Sequence, residues 1–362
     1  MDATSASLLK RAALDALNTR PFRAPLWLRS GHAQTLYPHL LRRPLLPPLT
    51  REQWPTSDGD VLSIHHLEGR ETYPRVVLIH GLEGGLTSSY IKGLVVALHG
   101  EGYPATVMEH RSCDGRMNRA KRLYHLGETT DLAHVVTELV RREPGRRLVL
   151  CGFSLGGNQV LKWLGESPAS VPAQVLSAIA VSPPFDLMVS GPHMDRVLFG
   201  QYTKHFLRSL IPKALAKAEQ FPGVLDVERI RRARTFKEFD TYATAALHGF
   251  ADARDYWTRV SSGQFLPHIE VPTLLIASAD DPFNPGRTLP RELAAKSPYL
   301  IAQLTKRGGH VGFVTGSPRR PRFWADEQIV AYLGVLRRRI SAPDAAVDVA
   351  DVANAGYARH HA

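Results

Sequence analysis

Short apolar runs alternate along the chain with longer amphipathic stretches. Arg75–His80 (RVVLIH), Ala105–Glu109, Arg147–Phe153 (RLVLCGF), Leu176–Val181, Thr273–Ala279 and Tyr299–Thr305 are near-continuous runs rich in Val, Leu and Ile. Their length and β-branched content predict strands buried on both faces. Between them, Ser89–Leu98, Thr129–Arg142, Gly156–Glu166, Leu289–Ala295 and Trp324–Ile340 carry a helical period, and Thr129-Thr130-Asp131 offers cap oxygens. Strand, helix, strand, repeated, predicts a parallel sheet with helices on both faces. Two further strand-like runs in Thr50–Glu68 flank Ser57-Asp58-Gly59-Asp60, and Asp-Gly between such runs signals a hairpin, so the sheet is expected to start antiparallel.

The rhythm breaks at 185–265, a helical stretch without a convincing strand that holds twelve of the chain's 29 aromatics. We read it as a helical cap inserted over the sheet, with 49–184 and 266–341 as the core. Residues 1–48, Pro-rich toward their end, are expected to form an N-terminal arm, irregular apart from a short helix near Leu8–Leu17. Residues 342–362, rich in Ala, Asp and Val, are expected to be a disordered tail.

The net charge of +11 and pI of about 9.8 raise nucleic acid or an anionic lipid surface as partners. The basic residues are scattered in twos and threes, such as Arg42-Arg43 and Arg337-Arg338-Arg339, without a long run. Nucleic acid is therefore not expected, whereas loose membrane association stays open. With only Cys113 and Cys151 there is neither a disulfide framework nor a four-cysteine zinc site, which fits a reducing, cytoplasmic compartment. Lys10 and Arg11 interrupt the first apolar stretch, so no signal peptide is expected, and no run approaches the ~20 apolar residues of a membrane span.

The candidate chemistry begins at Gly152-Phe153-Ser154-Leu155-Gly156, a GxSxG motif placed between a strand and a helix. Glycines flank the serine because the turn is tight and neighbouring backbones crowd it. Structurally, such a turn needs only a capping serine; chemically, it presents a nucleophile. A serine hydroxyl needs a base and an orienting carboxylate, which in this strand-turn-helix context follow in the order acid, then His. Asp280-Asp281 ends a late strand, and Asp281, directly before Pro282-Phe283, is preferred with Asp280 left open. His310, in GGHVGF and 29 residues after Asp281, alone among 16 histidines lies in the loop after the next strand. Two N–H donors for an oxyanion are expected at Leu155, after the serine, and at Leu82 in His80-Gly81-Leu82-Glu83-Gly84-Gly85, with His80 shaping that loop. The loop lacks the lysine and spacing of a phosphate cradle, and no HExxH-like spacing occurs. Neither a metal nor a cofactor is expected.

Several stretches together resemble the YheT-like branch of the α/β-hydrolases, related to the eukaryotic ABHD1 and ABHD3 group. They are SGHAQTLYP (30–38), HGLEG (80–84), 111–132, GFSLGGN (152–158), RTFKEFDT (234–241), HGFADARDYW (248–257), DDPF (280–283) and GGHVGF (308–313). The resemblance runs from about residue 20 to 340. It implies an α/β fold with a mostly parallel eight-stranded sheet flanked by helices, and a carboxylesterase or monoacylglycerol lipase-like activity. The family's nucleophile, acid and base would fall on Ser154, Asp281 and His310. Arg111-Ser112-Cys113-Asp114-Gly115 departs from the usual Arg-Gly-Cys-Ser-Gly, at the expected mouth, where substrate preference is set. The expected partner is a small ester or lipid-like substrate. The same three residues would equally serve acyl transfer or thioester cleavage, and a binding protein could retain the fold without catalysis.

Overall fold

The computed structural model describes residues 1–341, so the expected tail, 342–362, lies outside the described residues. The strands are β1 (Thr50–Pro55), β2 (Val61–Leu67), β3 (Arg75–Ile79), β4 (Ala105–Met108), β5 (Leu148–Phe153), β6 (Val175–Val181), β7 (Thr273–Ser278) and β8 (Leu300–Thr305), followed by a hairpin of β9 (Val314–Ser317) and β10 (Arg320–Phe323). The first eight form one sheet in the order β1-β2-β4-β3-β5-β6-β7-β8. β1 and β2 pair antiparallel across the Asp58-Gly59 turn, β2 pairs antiparallel with β4, and the remainder is parallel. All parallel strands therefore deliver their following loops to one edge of the sheet.

Before the parallel strands begin, α1 (Ala3–Asn18) and α2 (Gly31–Leu41) occupy most of the first 48 residues. α3 (Ser89–Glu101), α4 (Thr130–Arg142) and α5 (Leu155–Glu166) cross between strands. α6 (Leu187–Met194), α7 (Gln201–Gln220), α8 (Val227–Arg232), α9 (Phe236–Phe239), α10 (Ala246–His248) and α11 (Ala253–Val260) fill the excursion between β6 and β7. α12 (Arg291–Lys296) and α13 (Trp324–Ser341) complete the chain.

Period-two alternation divides the buried strands between two cores. Val76 and Leu78 of β3 and Val149 and Cys151 of β5 face α1, α3 and α13, through residues such as Leu9, Leu94 and Tyr332. Val77, Ile79, Leu148 and Leu150 face α4 and α5, through Val135, Leu139, Val160 and Leu164. Each fully buried aliphatic side chain contributes about 1.5–3 kcal/mol, so both sheet faces must be covered, as the uninterrupted apolar runs predict.

The excursion between β6 and β7 is helical, as expected, and most of its aromatics pack within it. Phe239 joins Leu207, Ala214 and Ile230, while Phe236, Tyr256 and Trp257 form a second cluster. It rests on the loops at the carboxyl edge of the sheet: Lys213 Nζ lies 2.7 Å from Glu83, Lys217 Nζ donates to Ala120 O at 2.7 Å, and the Tyr202 and Phe283 rings are 4.8 Å apart. Below these contacts Arg111, fully buried, donates twice to Asp131 at 2.7 Å and once to Asp60 at 3.0 Å, tying the loop after β4 to α4 and the β1–β2 turn.

Two local expectations differ from the structure, and one element was not foreseen. The first 48 residues are not an irregular arm, because α1 is longer than its apolar stripe and α2 forms despite Gly31 and Pro38. Pro38 sits in the last turn, where its carbonyl still accepts from Arg42 N. The cap of α4 comes from Glu128, whose carboxylate accepts from Thr130 N at 2.8 Å and Asp131 N at 3.3 Å, while Thr129 bonds Glu166 instead. The short polar hairpin β9–β10 has no sequence pattern to announce it. Among the described residues, no helix is long and apolar enough to cross a membrane.

Asp240 starts a π-helical turn, Asp240–Ala245, and accepts from Thr244 Oγ1 and Trp257 Nε1, each at 2.7 Å. Burial pushes its carboxyl up from 3.8 to about 6. Across that window the folded protein keeps a proton that the unfolded chain has lost, so stability falls as pH rises. Measured by chemical denaturation at pH 4 and at pH 6.5, the stability of the wild type relative to Asp240→Asn is expected to fall by about 2 kcal/mol.

Candidate active site

Ser154 occupies the one-residue turn between β5 and α5 with φ of 51° and ψ of −117°. Such a conformation is costly for a residue with a Cβ and persists only where neighbours over-determine it. Here Ser154 N donates to Val181 O at 2.8 Å and Ser154 O accepts from Asn158 N at 3.0 Å. The flanking glycines are obligatory for space. A Cβ on Gly152 would stand 2.3 Å from Gly156 O, and one on Gly156 would stand 2.4 Å from Ile79 O. Asn158, on the first turn of α5, then locks the helix: its amide donates to Leu126 O and Val260 O and accepts from Ser262 N, all at 2.9 Å.

The 80–85 loop lies against this turn, since a Cβ on Gly81 would be 3.1 Å from Ser154 Cβ. His80 is wholly buried, and its Nε2 accepts from His110 N at 3.0 Å. The imidazole proton is therefore on Nδ1, which donates to Gly81 O at 2.7 Å. Burial, reinforced by His110, pushes His80 down to about 3, and burial pushes His110 down to about 4, so both rings are neutral. Gly81 N donates to Tyr90 Oη at 2.9 Å and Glu83 N to Tyr124 Oη at 2.8 Å. Among the described residues, the Leu82 N–H between them has no hydrogen-bond partner, and neither has the Leu155 N–H at the start of α5, where helix geometry leaves N–H groups without internal partners.

After β7, Asp281 and Asp280 take separate partners. Asp281 Oδ2 lies 2.8 Å from His310 Nδ1, and its Oδ1 accepts from Phe283 N at 2.7 Å and Asn284 N at 3.1 Å. Asp280 Oδ1 accepts from Gly309 N at 2.9 Å and so supports the histidine loop rather than the ring. With the carboxylate as acceptor, His310 Nδ1 is the donor, and Nε2 stands outside the pair. The Phe283 ring lies 4.2 Å from the His310 ring.

The structure thus pairs Asp281 with His310, and no hydrogen bond joins either to Ser154. The link between them runs through β6. Val181 holds Ser154, and the next residue, Ser182, accepts from Val311 N at 3.1 Å through Oγ and from Asn284 Nδ2 at 3.2 Å through its carbonyl. Sequence reasoning gave no role to Ser182, Asn284, Tyr90 or Tyr124. It also missed Thr35 on α2, whose Oγ1 accepts from His310 N at 2.9 Å, although Thr35 lies within one of the stretches that carry the resemblance. Among the described residues no cluster of His, Cys, Asp and Glu could hold a metal ion.

A strained serine between strand and helix, with a carboxylate-paired histidine after the last parallel strands, defines an α/β hydrolase, and the alpha/beta hydrolase fold family matches residues 74–317. Within that class the chain belongs to the YheT-like family. It is 36% identical over 309 residues to the Escherichia coli (strain K12) protein "Putative esterase YheT", covering 83% of this chain and 89% of that one. It is 29% identical to "Monoacylglycerol lipase" of Saccharomyces cerevisiae, covering 79% of this chain and 64% of the yeast protein. Identity to "Phospholipase ABHD3" of Mus musculus is 26%, covering 82% and 74%. Among solved structures, an esterase from Pyrococcus furiosus superposes with a TM-score of 0.52 at 17% identity, covering 79% of this chain and 91% of that one, and shows the same fold.

Gly156→Ala tests the crowding at the turn. We expect a loss of about 1–3 kcal/mol or more in urea unfolding, because the clash is with the Ile79 and His80 carbonyls, which cannot rotate away.

Proposed function

We propose that this protein is a serine hydrolase that cleaves carboxylic esters through an acyl-enzyme on Ser154. The observation that carries the reading is the Asp281–His310 hydrogen bond, made through Nδ1, which leaves Nε2 outside that pair on the loop that Ser182 ties to the Ser154 turn. His310 Nε2 takes the Ser154 hydroxyl proton as Oγ attacks the ester carbonyl. The Leu155 and Leu82 N–H groups receive the negative charge that develops on the carbonyl oxygen. Collapse of the tetrahedral intermediate expels the alcohol, which takes the proton from His310. Water, deprotonated by His310, then attacks the acyl-enzyme; collapse breaks the bond to Ser154 Oγ, which takes the proton back from His310, and the acid leaves. Asp281 keeps His310 in the tautomer with its proton on Nδ1 and stabilises the imidazolium between these steps.

The rings of Phe283, Tyr202 and Phe206 lie in sequence from His310 into α7, and we assign them to the apolar part of the substrate. The names of the yeast and mouse relatives, a monoacylglycerol lipase and a phospholipase, favour a lipid-like ester. We place the protein in the cytoplasm, a reading supported by two unpaired cysteines, Cys113 and Cys151.

Hydrolysis of 4-nitrophenyl acetate, butyrate and octanoate tests the proposal. Ser154→Ala is expected to lower kcat by roughly 10⁴-fold or more and to abolish labelling by a fluorophosphonate. Turnover that persists in Ser154→Ala would sink the reading. Asp281→Asn is expected to lower kcat by about 10³–10⁴-fold, and Asp280→Asn by far less. The reverse order would transfer the orienting role to Asp280.

A further inference from the structure

Glu83 belongs to the loop that carries Leu82, yet the mechanism gives it no task. It stands at φ of 55°, a left-handed conformation that a non-glycine residue adopts only under constraint. The constraint is visible. Tyr124 Oη accepts from Glu83 N at 2.8 Å and donates to Glu83 Oε1 at 2.7 Å, closing a ring around the residue. Burial pushes the Tyr124 phenol well above its ordinary value, so it keeps the proton it donates. The same Oε1 receives Lys213 Nζ at 2.7 Å, from the middle of α7 and 130 residues away in sequence. Both side chains are largely buried, 11% exposed for Glu83 and 20% for Lys213.

α7 also reaches the other half of the site. Its Tyr202 and Phe206 rings lie 4.8 and 6.0 Å from that of Phe283, which packs on His310. One helix therefore touches the loop of the Leu82 donor through an ion pair and, through edge-on contacts of its rings with Phe283, the residue that packs on the histidine. A Glu–Lys pair on an exposed surface would contribute little, but this one fixes the backbone of the residue next to an oxyanion donor.

We propose that Lys213 and Glu83 are a positioning pair that holds the Leu82 N–H in line for the oxyanion and makes that alignment depend on the seating of α7. The inference rests on the serine hydrolase reading above. Neither residue touches the substrate. Both act through Leu82, and the substrate's apolar part, by packing on Tyr202 and Phe206, seats the helix that supplies Lys213.

Ester hydrolysis by the full chain, with Ser154→Ala as control, tests the pair through Glu83→Gln, Lys213→Met and Lys213→Arg. For Glu83→Gln and Lys213→Met we expect kcat to fall about 10–100-fold, with KM changed little. Lys213→Arg, which retains the charge, is expected to recover most of the loss. A trifluoromethyl ketone, which forms a tetrahedral adduct with the serine, should lose affinity across the variants in proportion to kcat/KM, while the product acid binds unchanged. Variants within twofold of wild type in kcat would overturn the pairing and leave the serine mechanism intact. A fall in kcat without a parallel loss of trifluoromethyl ketone affinity would also overturn it, because the pair would then serve folding alone. Turnover independent of Ser154 would instead remove the reading on which the pair rests.

Discussion

The constraint on which the site depends is the contact of three backbones where β5 turns into α5. Gly152, Gly156 and the end of β3 approach so closely that no side chain fits between them. That contact sets β3 beside β5, brings the 80–85 loop against Ser154, and starts α5 at the residue after the serine. Neighbouring parallel strands then bring the loops after β6, β7 and β8 to the same edge. Ligand sites of open α/β sheets gather at this edge because parallel pairing leaves every strand's carboxyl end on one side.

Strain is concentrated at the same edge. Besides Ser154 and Glu83, positive φ values occur at Ser182, Val311 and Phe313, in the loops that follow β6 and β8. Each such residue costs on the order of 1–3 kcal/mol, and the surrounding hydrogen bonds must offset that. They do so from elements remote in sequence: Thr35 from α2 holds His310 N, and Gln34, wholly buried, accepts from Val314 N just beyond Phe313. The first helices of the chain are thus part of what keeps the histidine loop in place. A Cβ on Gly309 would stand 2.4 Å from Gly31 O, so α2 and this loop fit together only through glycine.

Where structure follows from local chemistry, it was legible in the sequence. The strand at Arg147–Phe153, the turn at Ser154 and the helix after it announce themselves by apolar content and glycine spacing, as does the Asp58-Gly59 hairpin. His310 was legible because chain order and a glycine-rich loop select one histidine of sixteen. The partner of His310 was only half legible: adjacent aspartates share one loop, and the distinction between pairing with the ring and pairing with Gly309 N exists only in three dimensions. α2 escaped because a glycine start and an internal proline mask its period, and Thr35 escaped with it. Tyr90 and Lys213 carry no local signal at all, and Tyr124, though it lies in the resembling stretch 111–132, shows none of its role there, since their significance lies in contacts between residues far apart in the chain.

α1 packs against α13, burying Leu9, Ala13 and Leu17 with Ile329, Leu333 and Leu336 in one core, and Arg339 donates to Ser5 O at 3.0 Å. About 300 residues separate the two helices. At ribosomal speeds of roughly 5–20 residues per second, α1 emerges some 15–60 s before the helix that covers its apolar stripe. During that interval the stripe is exposed to other nascent chains and to chaperones, so biogenesis of this fold depends on protecting an early helix until a late one arrives.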